Sequence, residues 1–180
     1  LRPHEVKQLF ESLSVGCPKE LRTYAMVHLA YSLGLRPVEI SSLQLDDIAF
    51  GKAKLTLKRR KNDTPLELPI PEQTLKAIVA YMVGGRPQSS SQHLFLTLCA
   101  PHGPMVPGLV GRYIQEAMHT AGLNASAYWL RHSYAQHLLS AGASIYEIKE
   151  MLGHDHIESS RKYLHIHTDL MREVIVDELL

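Results

Sequence analysis

Cysteine is scarce in this chain: 180 residues hold two, Cys17 and Cys99. That is too few for a disulfide framework, and a reducing cytosol is the expected compartment. No apolar run approaches the length needed to cross a bilayer, and no secretory signal pattern opens the sequence. A membrane partner is therefore not expected. Charge of one sign is not in excess either. Nineteen Lys and Arg stand against 18 Asp and Glu, a net charge of +1, so the sum alone points to no acidic or basic partner. Internal repeats and low-complexity tracts are missing, which excludes solenoid architectures and tail-like chains. What remains is the profile of an ordinary globular domain, 45% hydrophobic and 21% charged, and residues 1–180 read as one domain with a real core.

The distribution of charge says more than its sum. KLTLKRRK at 54–61 holds five cations and no acid. Such a run is either a solvated hairpin edge or a footprint for phosphates. Eleven histidines add groups that can become charged near an anion.

Periodicity gives the elements. Val6, Leu9, Phe10 and Leu13 recur at helical spacing after Pro3. A second helix is expected over 18–34, ended by Gly34. Pro37 opens a short third one, since proline is tolerated in a first turn. From Leu45 the period changes to two. AKLTLK at 53–58 and PLELPI at 65–70 flank Asn62-Asp63, which is turn chemistry, and a weak strand is expected near 47–50. A helix follows at 72–83. Residues 84–106 read as loop around HLFLTL, a strand or a buried turn. The rest is helical again: 106–123, 129–142, 144–153, a segment around 157–163, and DLMREVIVDELL at the end. The expected fold is α+β, mostly helical with a small three-stranded antiparallel sheet.

Four pieces stand out against this background. GLRPVEI places Arg36 just before a helix, and RRKNDTPLELP places Lys61 at a hairpin turn. WLRHS places Arg131 at the start of a helix, its mouth, and MLGHDHIESSRKY places His154 nine positions before Tyr163. Taken singly, each has a bland reading as a cap, a surface cation or a packed ring. Taken together and in order, they resemble the catalytic domain of the tyrosine site-specific recombinases, the family that includes phage integrases. Gly34-Leu35-Arg36 with Glu39 and Ile40 matches its first element. Leu130-Arg131-His132-Ser133 matches the core of the third, and Leu152-Gly153-His154 with Tyr163 matches the last. Lys61 is chosen over Lys58 and its neighbours because it lies eight residues before Pro69, as the family lysine commonly lies before a strand-ending proline.

The resemblance implies a reaction. Tyr163 attacks a DNA phosphodiester, and Arg36, Arg131 and His154 hold the non-bridging oxygens. Lys61 protonates the leaving oxygen, and Glu39 orients a cation rather than reacting. Guanidinium forks suit this task because they stay charged and grip phosphate in a plane. No metal or other cofactor is implied. Tyr128 departs from the family, which usually has histidine there. A phenol can donate to a phosphate oxygen but is protonated at neutral pH and so a poor base. His132 is a weaker stand-in, read as packing.

Double-stranded DNA is the implied partner, gripped by Lys58, Arg59, Arg60, Arg112, Arg161 and Lys162. The implied setting is the cytoplasm, on the nucleoid. The family's N-terminal DNA-clamping domain is absent from this sequence, so DNA binding by the piece alone is expected to be weak. In the family a terminal helix also joins protomers, up to a synaptic tetramer. DLMREVIVDELL, with a stripe of Leu170, Val174, Ile175 and Leu179, can do this or simply pack on its own domain.

Three other readings stay open. His154, His156, His165 and His167 form two H-x-H pairs that could bind zinc, although their spacing matches no closed structural site. The chain could be a catalytically silent DNA-binding module. It could also relax one strand in the manner of a type IB topoisomerase.

Overall fold

The computed structural model describes residues 1–58 and 66–152. Seven helices and three short strands follow one another there. They are α1 (Pro3–Ser12), α2 (Pro18–Ser32), α3 (Pro37–Ser42), β1 (Ile48–Ala49), β2 (Lys54–Leu57), β3 (Leu66–Pro69), α4 (Glu72–Gly84), α5 (Pro107–Thr120), α6 (Ala127–Ser140) and α7 (Ile145–Leu152). The expected α+β class, mostly helical with a small antiparallel sheet, is what forms.

α2 is the central post. Ala25, Met26, Val27, Leu29 and Ala30 are all fully buried, because α4, α5 and α6 pack around this helix. A helix apolar on most of its circumference belongs in the middle of a core. α1, α2, α3 and α5 each carry proline in their first turn, where the missing N–H costs nothing.

The sheet has the order β1-β2-β3, antiparallel throughout. Leu55 sits between Ile48 and Leu68 in register, so one face of the sheet delivers an aliphatic row to the core. The opposite face is polar, with Lys54 and Glu67 paired at 3.0 Å. Pro69 closes β3 as expected. The hairpin tip, residues 59–65, lies outside the described residues, as do the expected helices beyond Leu152.

The expectations for residues 84–106 resolve into a buried turn. Leu94, Phe95 and Leu96 are fully buried but form only isolated bridges, Gln44 with His93 and Leu96 with Pro104. A few main-chain bonds, such as Leu94 N–H to the Leu43 carbonyl at 2.8 Å and Met105 N–H to the Phe95 carbonyl at 3.1 Å, are supplemented by side chains. Arg86 donates to the carbonyls of Ser91, His93 and Leu94, and the buried Arg22 donates to that of Leu96 at 2.7 Å. Polar main chain buried without a sheet needs such partners.

Gly34 ends the α2 segment with φ +62. A Cβ at this position would stand 2.5 Å from Cδ1 of Tyr134 on α6. Both the backbone conformation and the close approach of α6 require glycine.

Candidate active site

The turn at Gly34 leads directly into Arg36, the N-cap of α3, in extended backbone. Pro37 can only follow such a residue, because its ring disfavours helical backbone in the residue before it. One turn into α3, Glu39 folds back. Its Oε2 accepts the Arg36 backbone N–H at 2.7 Å, and its Oε1 meets the Arg36 guanidinium at 3.4 Å. The carboxylate thus caps the helix and meets the arginine side chain.

Arg131 arrives from the far side of the chain. The helix that carries it begins at Ala127, two residues before the position expected from periodicity, so Arg131 lies one turn inside α6 rather than at its mouth. Its guanidinium is buried, 5% exposed, and donates to the carbonyl of Gly34 and, 21 residues ahead, to that of Leu152. Glu39 Oε2 lies 3.7 Å from the same guanidinium. Two arginines about half the sequence apart therefore share one carboxylate. Burial raises the strength of these contacts and the cost of losing any of them.

The bond to Leu152 matters for the remaining match. Leu152 ends α7, and Gly153-His154 follow it in the sequence. Arg131 is thus tied to the residue that introduces the L-G-H element. His154, Tyr163, Lys61, Arg59, Arg60, Arg161 and Lys162 lie outside the described residues.

Tyr128 occupies the first turn of α6 and is 55% exposed. His132, read from sequence as core packing, lies instead half-buried one turn later against the Tyr128 ring, with ring centroids 4.1 Å apart and planes at 84°. Lys58, at the end of β2, reaches Asp47 at 2.9 Å and Asp46 at 3.2 Å. Hydrogen bonds to Asp47 and then Asp46 hold its ammonium above the usual lysine range. Arg112 projects from α5 toward Glu116 at 3.5 Å and toward the face of Tyr113. Among the described residues no group of His, Cys, Asp and Glu is arranged to hold a metal ion, and no helix is long and apolar enough to cross a membrane.

Two contributors carry little or no sequence signal, and a third, His132, takes a different place from the packing expected of it. The Gly34 carbonyl had no signal, since main-chain acceptors carry no residue code. Asp47 had a faint one, an acid just before a strand that pairs with a basic one. His132 had the i, i+4 spacing to Tyr128, which on a helix makes neighbours.

Residues 1–169 match the phage integrase family along almost the whole chain. Tyrosine recombinase XerA of Pyrococcus furiosus is 32% identical over 177 residues, covering 97% of this chain and 60% of its own length. Tyrosine recombinase XerC of Anoxybacillus flavithermus is 29% identical over 180 residues, again 97% and 60%. Among solved structures, the XerH site-specific recombinase bound to a palindromic difH substrate, a post-cleavage complex, superimposes with a TM-score of 0.81. That likeness, at 18% identity and covering 97% of this chain and 52% of that one, is one of fold. The chain belongs to the phage integrase family and has the tyrosine recombinase catalytic-domain fold. It spans about six-tenths of the two curated relatives described here.

Proposed function

We propose that this chain is the catalytic part of a site-specific DNA recombinase. The observation that carries the reading is the convergence of Arg36 and Arg131 on Glu39, with Arg131 tied to both Gly34 and Leu152. A phosphate oxygen needs two rigid planar cations more than it needs a nearby base, and their cost of organisation is met by the fold before DNA arrives.

In this reading the Tyr163 oxygen attacks a phosphodiester phosphorus. The bond from phosphorus to the 5′ oxygen breaks, and a 3′-phosphotyrosine forms. Lys61 gives the departing oxygen its proton, and Tyr163 loses one to solvent or to a nearby base. One ester replaces another, so neither ATP nor a metal is required. Arg36, Arg131 and His154 neutralise the non-bridging oxygens, and Tyr128 donates a further hydrogen bond there. Glu39 sets both arginines.

Double-stranded DNA is the partner, bound chiefly through phosphates by Arg59, Arg60, Arg112, Arg161 and Lys162. Lys58 contributes by securing the base of the hairpin that carries Lys61. Protomers associate on DNA, in part through DLMREVIVDELL, outside the described residues. The protein then works in the cytoplasm on the nucleoid.

Covalent trapping tests the reading. The full-length protein is incubated with nicked suicide duplexes drawn from DNA flanking its gene, beside Tyr163→Phe. The expected result is a protein–DNA adduct on a denaturing gel that vanishes in the variant. An adduct that persists in Tyr163→Phe moves the nucleophile elsewhere. Binding without any adduct makes the chain a silent DNA-binding module.

A further inference from the structure

The first two turns of α6 carry three rings on their outer side. Tyr128 is 55% exposed and Trp129 is 51% exposed. The His132 imidazole lies between them, 4.1 Å and 84° from the Tyr128 ring and 6.3 Å and 48° from the indole. This cluster is separate from the apolar cores, which use Ala127, Leu130 and Ala135 of the same helix. Rings that add little to a core and stay open to solvent still fix one another's direction. An exposed tyrosine without such a neighbour samples several rotamers, and an edge-to-face partner selects one.

We propose that His132 is the positioning residue for Tyr128. The inference rests on the recombinase reading, in which the Tyr128 hydroxyl meets the scissile phosphate. His132 holds the phenol ring so that its hydroxyl is presented beside the arginine pair before DNA binds. Arg131, one position before His132, anchors the same helical turn through Gly34 and Leu152, so the imidazole has a rigid base. The contact with His132 limits the directions of the exposed Tyr128 ring before the reaction begins.

The experiment measures single-turnover cleavage of a suicide duplex, together with DNA affinity, in the full-length protein. The variants are Tyr128→Phe, His132→Ala, His132→Phe and the double variant Tyr128→Phe/His132→Ala. The expected outcome has four parts. Tyr128→Phe slows cleavage about tenfold, the loss of one hydrogen bond to a charged group. His132→Ala slows it roughly two- to tenfold, the range of one aromatic pair. His132→Phe, which keeps an edge against the phenol, stays within about twofold of wild type. The double variant is no slower than Tyr128→Phe, because a residue that acts only through the hydroxyl has nothing left to position, and it binds DNA no more weakly than Tyr128→Phe does. Additive losses in the double variant overturn the proposal. So does a His132→Phe as slow as His132→Ala, or a double variant that binds DNA more weakly than Tyr128→Phe. If wild type gives no Tyr163-dependent adduct, the recombinase reading falls and this proposal with it, an outcome distinct from additive losses on a cleaving enzyme.

Discussion

Glu39 serves three groups with two oxygens: the Arg36 backbone, the Arg36 guanidinium and the Arg131 guanidinium. Its position three residues after Arg36 was legible in the sequence, because one helical turn is a fixed distance. The third contact was not, because it joins residues about half the chain apart. The same holds for Gly34. A glycine that ends a helix is a local signal, while its contact with Tyr134 and its carbonyl's bond to Arg131 depend on where α6 docks. Gly34→Ala therefore tests local and distant demands at once. Left-handed backbone costs an alanine about 1 kcal/mol, and forcing a methyl against the Tyr134 ring costs about 1–3 kcal/mol more. The expected loss is about 3 kcal/mol, read as a lower urea midpoint with unchanged slope. Cleavage falls further than stability explains, since the Arg131 anchor shifts with the turn.

At the scale of elements, helix placement was read well from sequence because the cues are local: proline in first turns, glycine at ends, apolar spacing of three and four. The boundary of α6 was read two residues late, since Tyr128 and Trp129 are exposed aromatics that periodicity alone mistakes for the approach to a core. The 91–98 turn was ambiguous for another reason. A short apolar run cannot tell a strand from a turn when its hydrogen bonds are divided between isolated main-chain bridges and arginine side chains. Packing between helices also hides a titration. His28 on α2 lies against Phe10 of α1 at 4.7 Å and Tyr24 at 4.5 Å, and neither ring nitrogen has a hydrogen-bond partner. Burial lowers its pKa from 6.5 to about 4. The folded state therefore favours neutral His28, while the unfolded chain takes a proton near pH 6.5. The contribution is intact above about pH 6.5 and is lost as pH falls toward about 4. The full effect is about 3 kcal/mol. Urea unfolding of wild type and His28→Leu checks it: the stability difference between them should shift by that amount from pH 7 to pH 4. A constant difference means that His28 does not titrate across this window.

For the whole molecule, a net charge of +1 conceals how charge is spent. Arg22 and Arg86 hold main-chain carbonyls of one turn, Arg131 holds two more, and Lys58 is matched by two acids. These cations build the molecule. Lys58 belongs to the basic run in sequence, and in the fold it also meets Asp46 and Asp47, contacts that composition cannot show. Phosphate binding is then proposed to rest chiefly on the other cations of the basic run. This division gives a measurable contrast. Binding that neutralises phosphates releases counterions, and the slope of log affinity against log salt falls by about 0.9 for each contact on duplex DNA. Replacing Arg59 and Arg60 with alanine should weaken binding and flatten that slope by about 2. Lys58→Ala should leave the slope unchanged within error, because its charge is already balanced, while slowing cleavage through a loosened hairpin. Fluorescence titrations of the full-length protein on a labelled duplex from 50 to 300 mM salt, on the order of the range where such slopes are read, separate the two. Equal flattening by Lys58→Ala and by the loss of a single run arginine means that Lys58 leaves its acids for phosphate when DNA binds.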